Sequence, residues 1–387
     1  MQAPRPLGKL FLLLAILSAT ACGTRVQAAA SPPLVATPVR PAASAQAPAE
    51  KPPAAAVPAS TTQAYSPTPM SPPVTVKTGA VMTTGEGPIF IAMEKGYFRD
   101  EGIENVMQEF AGPQMMGPLA AGQIDVAGSL VTAGLFNAVA RDIPLRIVAD
   151  KGSTPSREWD FMTIMIRRDL IELGQVKDYS DLKGLTVGLA GTGGSTEVLL
   201  AKALEKGGGS LADVNITIMG LPDQITAFAN KAIDVAVLGE PFVSRMEALG
   251  VAVRWRGVSE TYGNQQIATV IYGPNFVNDK PEVARRWMTA FIRGARDYND
   301  AFGPRRIGRD EAVAAIAKYT AIKDPKDYEL MRPTGIDPDG KLQVQSIRDD
   351  FRYYQRTGQI EGQVDLSKVI DTSFQEYALL QLGPYER

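Results

Sequence analysis

The stretch Val74-Thr-Val-Lys-Thr-Gly-Ala-Val-Met82, followed by Thr83-Thr-Gly-Glu-Gly-Pro-Ile-Phe-Ile-Ala-Met-Glu94, changes character in its middle. Its first half is a β-branched run. Its second is a glycine-rich turn leading into an apolar helix, with Pro88 near the first helical position, where a missing N–H does no harm. A strand feeding a helix in this way is half of a βα unit. Further β-branched runs recur at Val106 to Phe110, Ile124 to Gly128, Leu145 to Ala149, Phe161 to Arg167, Leu185 to Leu189, Val214 to Met219, Val235 to Leu238, Val251 to Trp255 and Ile267 to Tyr272. Helical stretches separate them, so the pattern predicts an α/β fold with mostly parallel sheets. After Tyr272 the pattern is helical. Pro281 opens a long amphipathic helix with Val283, Trp287, Phe291 and Ala295 on one face, and further helices are expected at Asp310 to Tyr319, Val344 to Tyr354 and Phe374 to Leu380. Trp287 is assigned to the core.

Upstream the composition is different. Arg5 and Lys9 precede the apolar run Leu10 to Leu17, too short to span a bilayer, and small residues then lead to Cys22. This predicts a signal peptide over residues 1–21. Twelve of the chain's 28 prolines fall between Pro32 and Pro73, in a segment of Ala, Pro, Ser and Thr that cannot bury enough surface to offset its ordering entropy. Residues 22–73 therefore read as a disordered linker, able to reach on the order of 150 Å if extended as polyproline II.

Composition excludes several chemistries. The 387 residues include no histidine and one cysteine, which removes imidazole acid–base catalysis, His-based nucleophiles, zinc fingers and intrachain disulfides. A formal net charge of −2, from 40 basic and 42 acidic residues, offers no field for a phosphate backbone, so no nucleic acid is expected. Gly188 to Ser195 has the spacing of a phosphate loop, but Gly194 stands where its lysine belongs. No G-x-S-x-G elbow occurs.

Two loop-to-helix junctions remain, Thr83 to Pro88 and Gly191 to Thr196. Both place backbone N–H groups at a helix start, where they suit an anionic or strongly accepting ligand group or serve simply as caps.

Together with these junctions, Pro88-Ile-Phe-Ile-Ala-Met-Glu-Lys-Gly-Tyr-Phe98, Glu101-Gly102, Leu119-Ala-Ala-Gly-Gln-Ile-Asp-Val-Ala127, Asp181-Leu-Lys-Gly184, Ile233-Asp-Val-Ala236, Glu240-Pro-Phe242 and Tyr298-Asn-Asp-Ala301 resemble the type II periplasmic binding proteins of the group serving sulfonates, nitrate, thiamine pyrimidines and riboflavin. The resemblance spans roughly Val76 to Gly383. It implies two α/β lobes joined by two crossing strands, lobe I being 74–164 plus 272–387 and lobe II 165–271. It also implies a ligand in the cleft, an ABC permease as partner, and a monomer. Small residues before Cys22 resemble a lipoprotein cleavage site, with Ala19 where that pattern prefers Leu; this implies a lipid on Cys22 and a cell-membrane location facing outside the cytoplasm.

One branch of the resembled family is an enzyme that makes the thiamine pyrimidine by consuming its own histidine, with a cysteine-rich motif and a pyridoxal cofactor. A chain without histidine and with its one cysteine at position 22 is expected to be no enzyme, with no cofactor and no metal.

By the same resemblance the ligand contacts are Thr84, Gly85, Glu86, Gly87, Ser129 and Thr132 in the first lobe. Thr192, Gly193, Gly194, Ser195, Thr196 and Glu240 serve in the second. Trp159, Tyr262 and Asn264 lie near the crossings, and Met115-Met116 near a helix start. A cleft carboxylate at Glu240 repels oxyanions and accepts N–H donors from a heterocycle; equally it caps the helix beginning at Pro241. Aromatic faces with amide groups suit a planar ring. Arginine is absent from the loops so assigned. This ranks riboflavin first, a thiamine-precursor pyrimidine second and an organic sulfonate third. A ligand-sensing lipoprotein without a transport role is the alternative from another class.

Overall fold

The computed structural model describes residues 65–386 apart from Ala111. The signal peptide, Cys22 and most of the expected linker lie outside the described residues.

All ten β-branched runs form strands, and they divide into two five-stranded sheets. The first has the order β2-β1-β3-β10-β4, from β1 (Val74–Ala80), β2 (Ile103–Glu109), β3 (Val126–Leu130), β4 (Arg146–Ser153) and β10 (Gln266–Tyr272). The second has the order β7-β6-β8-β5-β9, from β5 (Met162–Arg167), β6 (Thr186–Leu189), β7 (Asn215–Ile218), β8 (Val235–Gly239) and β9 (Ala252–Gly257). Four strands of each sheet point one way. The exceptions are β5 and β10, each antiparallel to both its neighbours, because each enters its sheet from the other lobe.

The crossings therefore fall at Thr154–Phe161 and Val258–Gln265. The expected breaks at 164/165 and 271/272 cut inside β5 and just before the end of β10, so β10 belongs to the first lobe. The crossings are tied together: buried Asp160 accepts the backbone N–H and hydroxyl of Ser259. Buried Asp150 accepts Ser153 Oγ at 2.7 Å and Gln266 Nε2 at 2.6 Å, joining the strand that leaves the first sheet to the one that returns. Burial pushes its carboxyl up to about 6, against the pull of its hydrogen-bond donors.

Helices flank the sheets, among them α1 (Gly87–Glu94), α2 (Ala133–Ala140), α3 (Ser195–Lys206), α4 (Phe242–Ala248), α5 (Pro281–Phe302), α6 (Arg309–Tyr319), α7 (Val344–Arg356) and α8 (Ser373–Leu382). The face of α5 read from its spacing is the buried one; Trp287 lies in the core, its Nε1 donating to Asn105 Oδ1 at 2.8 Å. Gly294 lets α5 close on α1, since a Cβ there would stand 2.1 Å from the Pro88 carbonyl oxygen.

The ordered body also begins earlier than Val74. Tyr65 donates to Glu101 Oε1 at 2.7 Å, Arg286 donates to the Thr68 carbonyl at 2.8 Å, and Met70 packs against the core under the first sheet. The expected linker boundary is thus too late: Tyr65–Pro73 is docked on the first lobe.

Candidate functional site

The carboxyl-end edges of the two sheets face each other across a crevice, and the first lobe supplies an ion pair to its floor. Thr83 and Glu86 form a reciprocal cap, Glu86 Oε2 accepting Thr83 N at 2.8 Å and Thr83 Oγ1 at 2.9 Å. The other oxygen meets Lys151 Nζ at 2.7 Å, and both side chains are almost wholly buried. Lys151 reaches it from β4 by lying over Gly128, where a Cβ would stand 2.4 Å from Lys151 Cε. Gly85 sits beside the ammonium group and Thr334. Gly87 is packed under the Tyr298 ring and holds α1 in place. Ser129 on β3 is buried opposite Thr269 on β10. The hydroxyls of Thr269 and of Thr154, at the start of the first crossing, are buried without a protein partner.

The second lobe presents Gly191 to Thr196 at the start of α3, but the loop is engaged by protein. Gly193 has φ +69°, a conformation that glycine adopts without strain, and its carbonyl accepts the N–H of Ala133 at 2.8 Å across the lobes. Its N–H donates to Glu197 Oε2 at 2.9 Å. Gly194 forms a bridge with Thr132, which caps α2 by accepting Leu135 N at 3.2 Å. Ser195 donates to the Ile267 carbonyl at 3.0 Å. Thr192 is exposed and Thr196 half-buried. Glu197 was not among the expected site residues, yet it is the hub here: its other oxygen accepts Tyr353 OH at 3.0 Å and Gln359 Nε2 at 2.6 Å from the first lobe.

At the other end of the crevice, Glu240 acts as cap and ion-pair partner. Its oxygens accept the N–H and hydroxyl of Ser244, each at 3.0 Å, Arg254 Nη2 at 2.9 Å, and the N–H of Arg332 from the first lobe at 3.2 Å. Of the two readings of Glu240, cap and ligand group, these four donors accord with the cap. Arg332 itself stands on a loop that was not assigned to the cleft from the sequence. The Arg332 side chain borders a small cavity, about 20 Å³, shared with Thr84, Tyr298, Phe302 and Tyr328. Burial, and then the neighbouring Arg254, hold its guanidinium below the ordinary arginine value.

The remaining expected residues stand elsewhere. Trp159 is half-buried against the apolar cluster containing Tyr298 and Phe302. Met115 is fully buried in an apolar cluster that also takes in Val198 and Ala201 of α3. Asn264 is exposed. Tyr262 donates to Asp350 Oδ1 at 2.7 Å, and its ring lines a different cavity, between α3 and α7, that shares no residue with the one beside Thr84. Asp350 also accepts Gln265 Nε2 at 3.3 Å, and burial pushes its carboxyl up to about 7.

Of the expected residues, Gly85 and Glu86 thus stand beside Lys151, Thr84 at the small cavity and Ser129 opposite Thr269, while Thr132, Gly193, Gly194 and Ser195 form a contact between the lobes. Lys151 was missed although it lies just past the run Leu145 to Ala149, at the strand end where crevice residues are expected. Arg332 had no local signal, since the loop bearing it returns from far along the chain.

Among known proteins, one from Brucella abortus (strain 2308) named as a binding protein is 27% identical over 262 residues, 67% of this chain and 75% of its own length. The riboflavin-binding protein RibY of Chloroflexus aurantiacus is 25% identical over 215 residues, 54% of this chain and 58% of its own. The periplasmic aliphatic sulphonate binding protein SsuA from Escherichia coli superposes with a TM-score of 0.61 at 19% identity, over 77% of this chain and 92% of its own. The periplasmic nitrate-binding protein NrtA from Synechocystis does so with a TM-score of 0.65 at 16% identity, over 83% and 90%. The two-lobed periplasmic-binding-protein fold is shared with both. Among the described residues no helix is long and apolar enough to cross a membrane. The family described as NMT1/THI5 like matches residues 83–300, more than half of the sequence, and the chain belongs to it.

Proposed function

We propose that this protein is the extracytoplasmic substrate-binding component of an ABC importer, held at the cell membrane by a lipid on Cys22 and working as a monomer that delivers its ligand to a membrane permease. The observation that carries this reading is the pair of facing sheet edges joined by two clamped crossings. A hinge of this kind lets ligand contacts available only in the closed state shift the open-to-closed population. The cavity of about 20 Å³ beside Thr84, lined by first-lobe residues alone, is far smaller than a vitamin-sized molecule, and a ligand of that size belongs between the lobes. No step of this function is catalytic, and a ligand recovered chemically unchanged after incubation supports that.

Among ligands a small planar heterocycle, with riboflavin first, is the favoured class. The likeness to RibY supports it, as do the aromatic side chains around the cavity beside Thr84. The two orphan hydroxyls of Thr154 and Thr269 supply partners for ring carbonyl and N–H edges. A second reading, an organic sulfonate or related anion, is favoured by Lys151 and Arg332 and by the fold shared with SsuA and NrtA. Fluorescence titration of riboflavin with the full chain separates the two. Saturable quenching at one ligand per chain supports the flavin. Absence of quenching, with alkanesulfonates giving saturable heat by calorimetry, replaces it with the anion. Aminopyrimidines complete the panel. Co-purification with a permease supports transport over a purely sensory lipoprotein.

A further inference from the structure

One cavity lies outside the crevice. It is an open groove of about 660 Å³ between α3 of the second lobe and α7 of the first, with Tyr262 of the second crossing in its wall. Residues spaced three and four apart on each helix face into it: Lys202, Glu205 and Lys206 from α3, and Asp349, Arg352 and Arg356 from α7. Four cations therefore stand against two carboxylates.

The pairs these groups make are weakly held. Arg352 meets Asp349 at 2.8 Å and Arg356 meets Glu205 at 3.3 Å, with both arginines about two-thirds exposed. Ion pairs this open contribute about 0–1 kcal/mol and are readily exchanged. Lys202 shares Glu205 with Arg356. Lys206 has no carboxylate within 4.0 Å among the described residues; its ammonium group donates to the Glu260 carbonyl at 2.8 Å. Planar guanidinium groups on one wall and ammonium groups on the other match a molecule with several anionic oxygens, and the rings of Tyr262 and Tyr353 offer it an apolar face.

We infer that this groove is a second binding site, separate from the crevice, for a small organic polyanion carrying two or more carboxylate or phosphate groups. Because α3 moves with one lobe and α7 with the other, such a molecule holds the lobes together only when they are closed. It biases the hinge by its differential affinity for the two states. Its influence on crevice-ligand affinity rests on the transport reading; its binding does not.

Citrate and inorganic pyrophosphate, titrated by calorimetry into the full chain at constant ionic strength and with no other ligand present, test the site directly. Saturable binding at one molecule per chain is expected, weakened at least about tenfold by Arg352→Gln or Arg356→Gln, as loss of a charge-assisted hydrogen bond requires. Arg141→Gln, an exposed arginine outside the groove, leaves it unchanged. Bound anion is also expected to reduce the radius of gyration by small-angle scattering. No saturable heat with either probe overturns the inference, as does binding that both groove variants leave intact while their melts match the parent. Riboflavin titration on the same sample reads the crevice separately, so failure of one site is distinguishable from failure of the other.

Discussion

The two loop-to-helix junctions, Thr83 to Pro88 and Gly191 to Thr196, each follow a strand and share threonines and glycines, yet the buried acids beside them do opposite things. Glu86 is paired with Lys151 of its own lobe and makes that lobe's floor rigid. Glu197 has no cation within 4.0 Å among the described residues and instead gathers an N–H from its own loop and two donors from the other lobe. One acid stabilises a lobe; the other links two lobes. The difference teaches that glycines and hydroxyls at a helix start mark where a chain can be approached closely, while the partner of the nearby carboxylate decides whether that approach is made by ligand, lysine or the opposite lobe.

The sharpest way to break the comparison is at Lys151. Lys151→Met leaves Glu86 charged and buried without its cation, and losing one partner of a buried pair costs about 3–5 kcal/mol. Urea denaturation should show that loss, while scattering from the still-folded variant should show unchanged lobe closure. A variant as stable as the parent would mean that water reaches Glu86 and that the floor is not a packed ion pair.

The second effect concerns the support behind the Gly191 to Thr196 junction. Gln265 donates both to the Ser195 carbonyl and to Asp350, so the junction leans on a carboxyl that burial raises from its ordinary 3.8 to about 7. A native pKa above the unfolded one means that the folded state binds the proton more tightly. Stability from this group is therefore full below about pH 4 and is lost as pH rises through 7. Asp350→Asn removes that dependence: between pH 5 and pH 8 the parent should lose roughly 2–3 kcal/mol more than the variant. The window is clean because the chain has no histidine, and Asp150, raised to about 6, is present in both proteins. Parallel stability curves for parent and variant would show that Asp350 is ionised throughout.

Much of this arrangement was legible in the sequence, for reasons that differ by residue. The ten strands and the buried face of α5 follow from local periodicity, which packing against a sheet enforces directly. The crossings were displaced because a strand that changes sheets has the same β-branched composition as one that does not; Ile267 to Tyr272 reads alike whichever lobe it joins. Tyr65 to Pro73 looked like linker because its attachment rests on Glu101 and Arg286, far along the chain. Glu240 could be read as cap or ligand group from its neighbours alone. Only the distant Arg254 and Arg332 settle where its oxygens point. What sequence periodicity cannot carry is a pairing between side chains on different elements, and the crevice is made largely of such pairings.

The smallest expected effect tests the link itself. Glu197→Gln keeps one oxygen, which can still accept from Tyr353 or Gln359, but turns an amide toward donors and removes the charge. The loss falls at the lower end of the range for hydrogen bonds to charged groups, about 1.5 kcal/mol, and it falls on closure rather than on either lobe. A shift of that size changes the closed-to-open ratio roughly tenfold. Small-angle scattering should therefore show a larger radius of gyration than the parent, with denaturation midpoints nearly unchanged, the reverse of Lys151→Met. If the two variants instead behave alike, losing stability without opening, then Glu197 is a structural acid like Glu86. The Ala133–Gly193 backbone contact, with the Ser195–Ile267 and Glu240–Arg332 hydrogen bonds, would then hold the lobes together without help from Glu197.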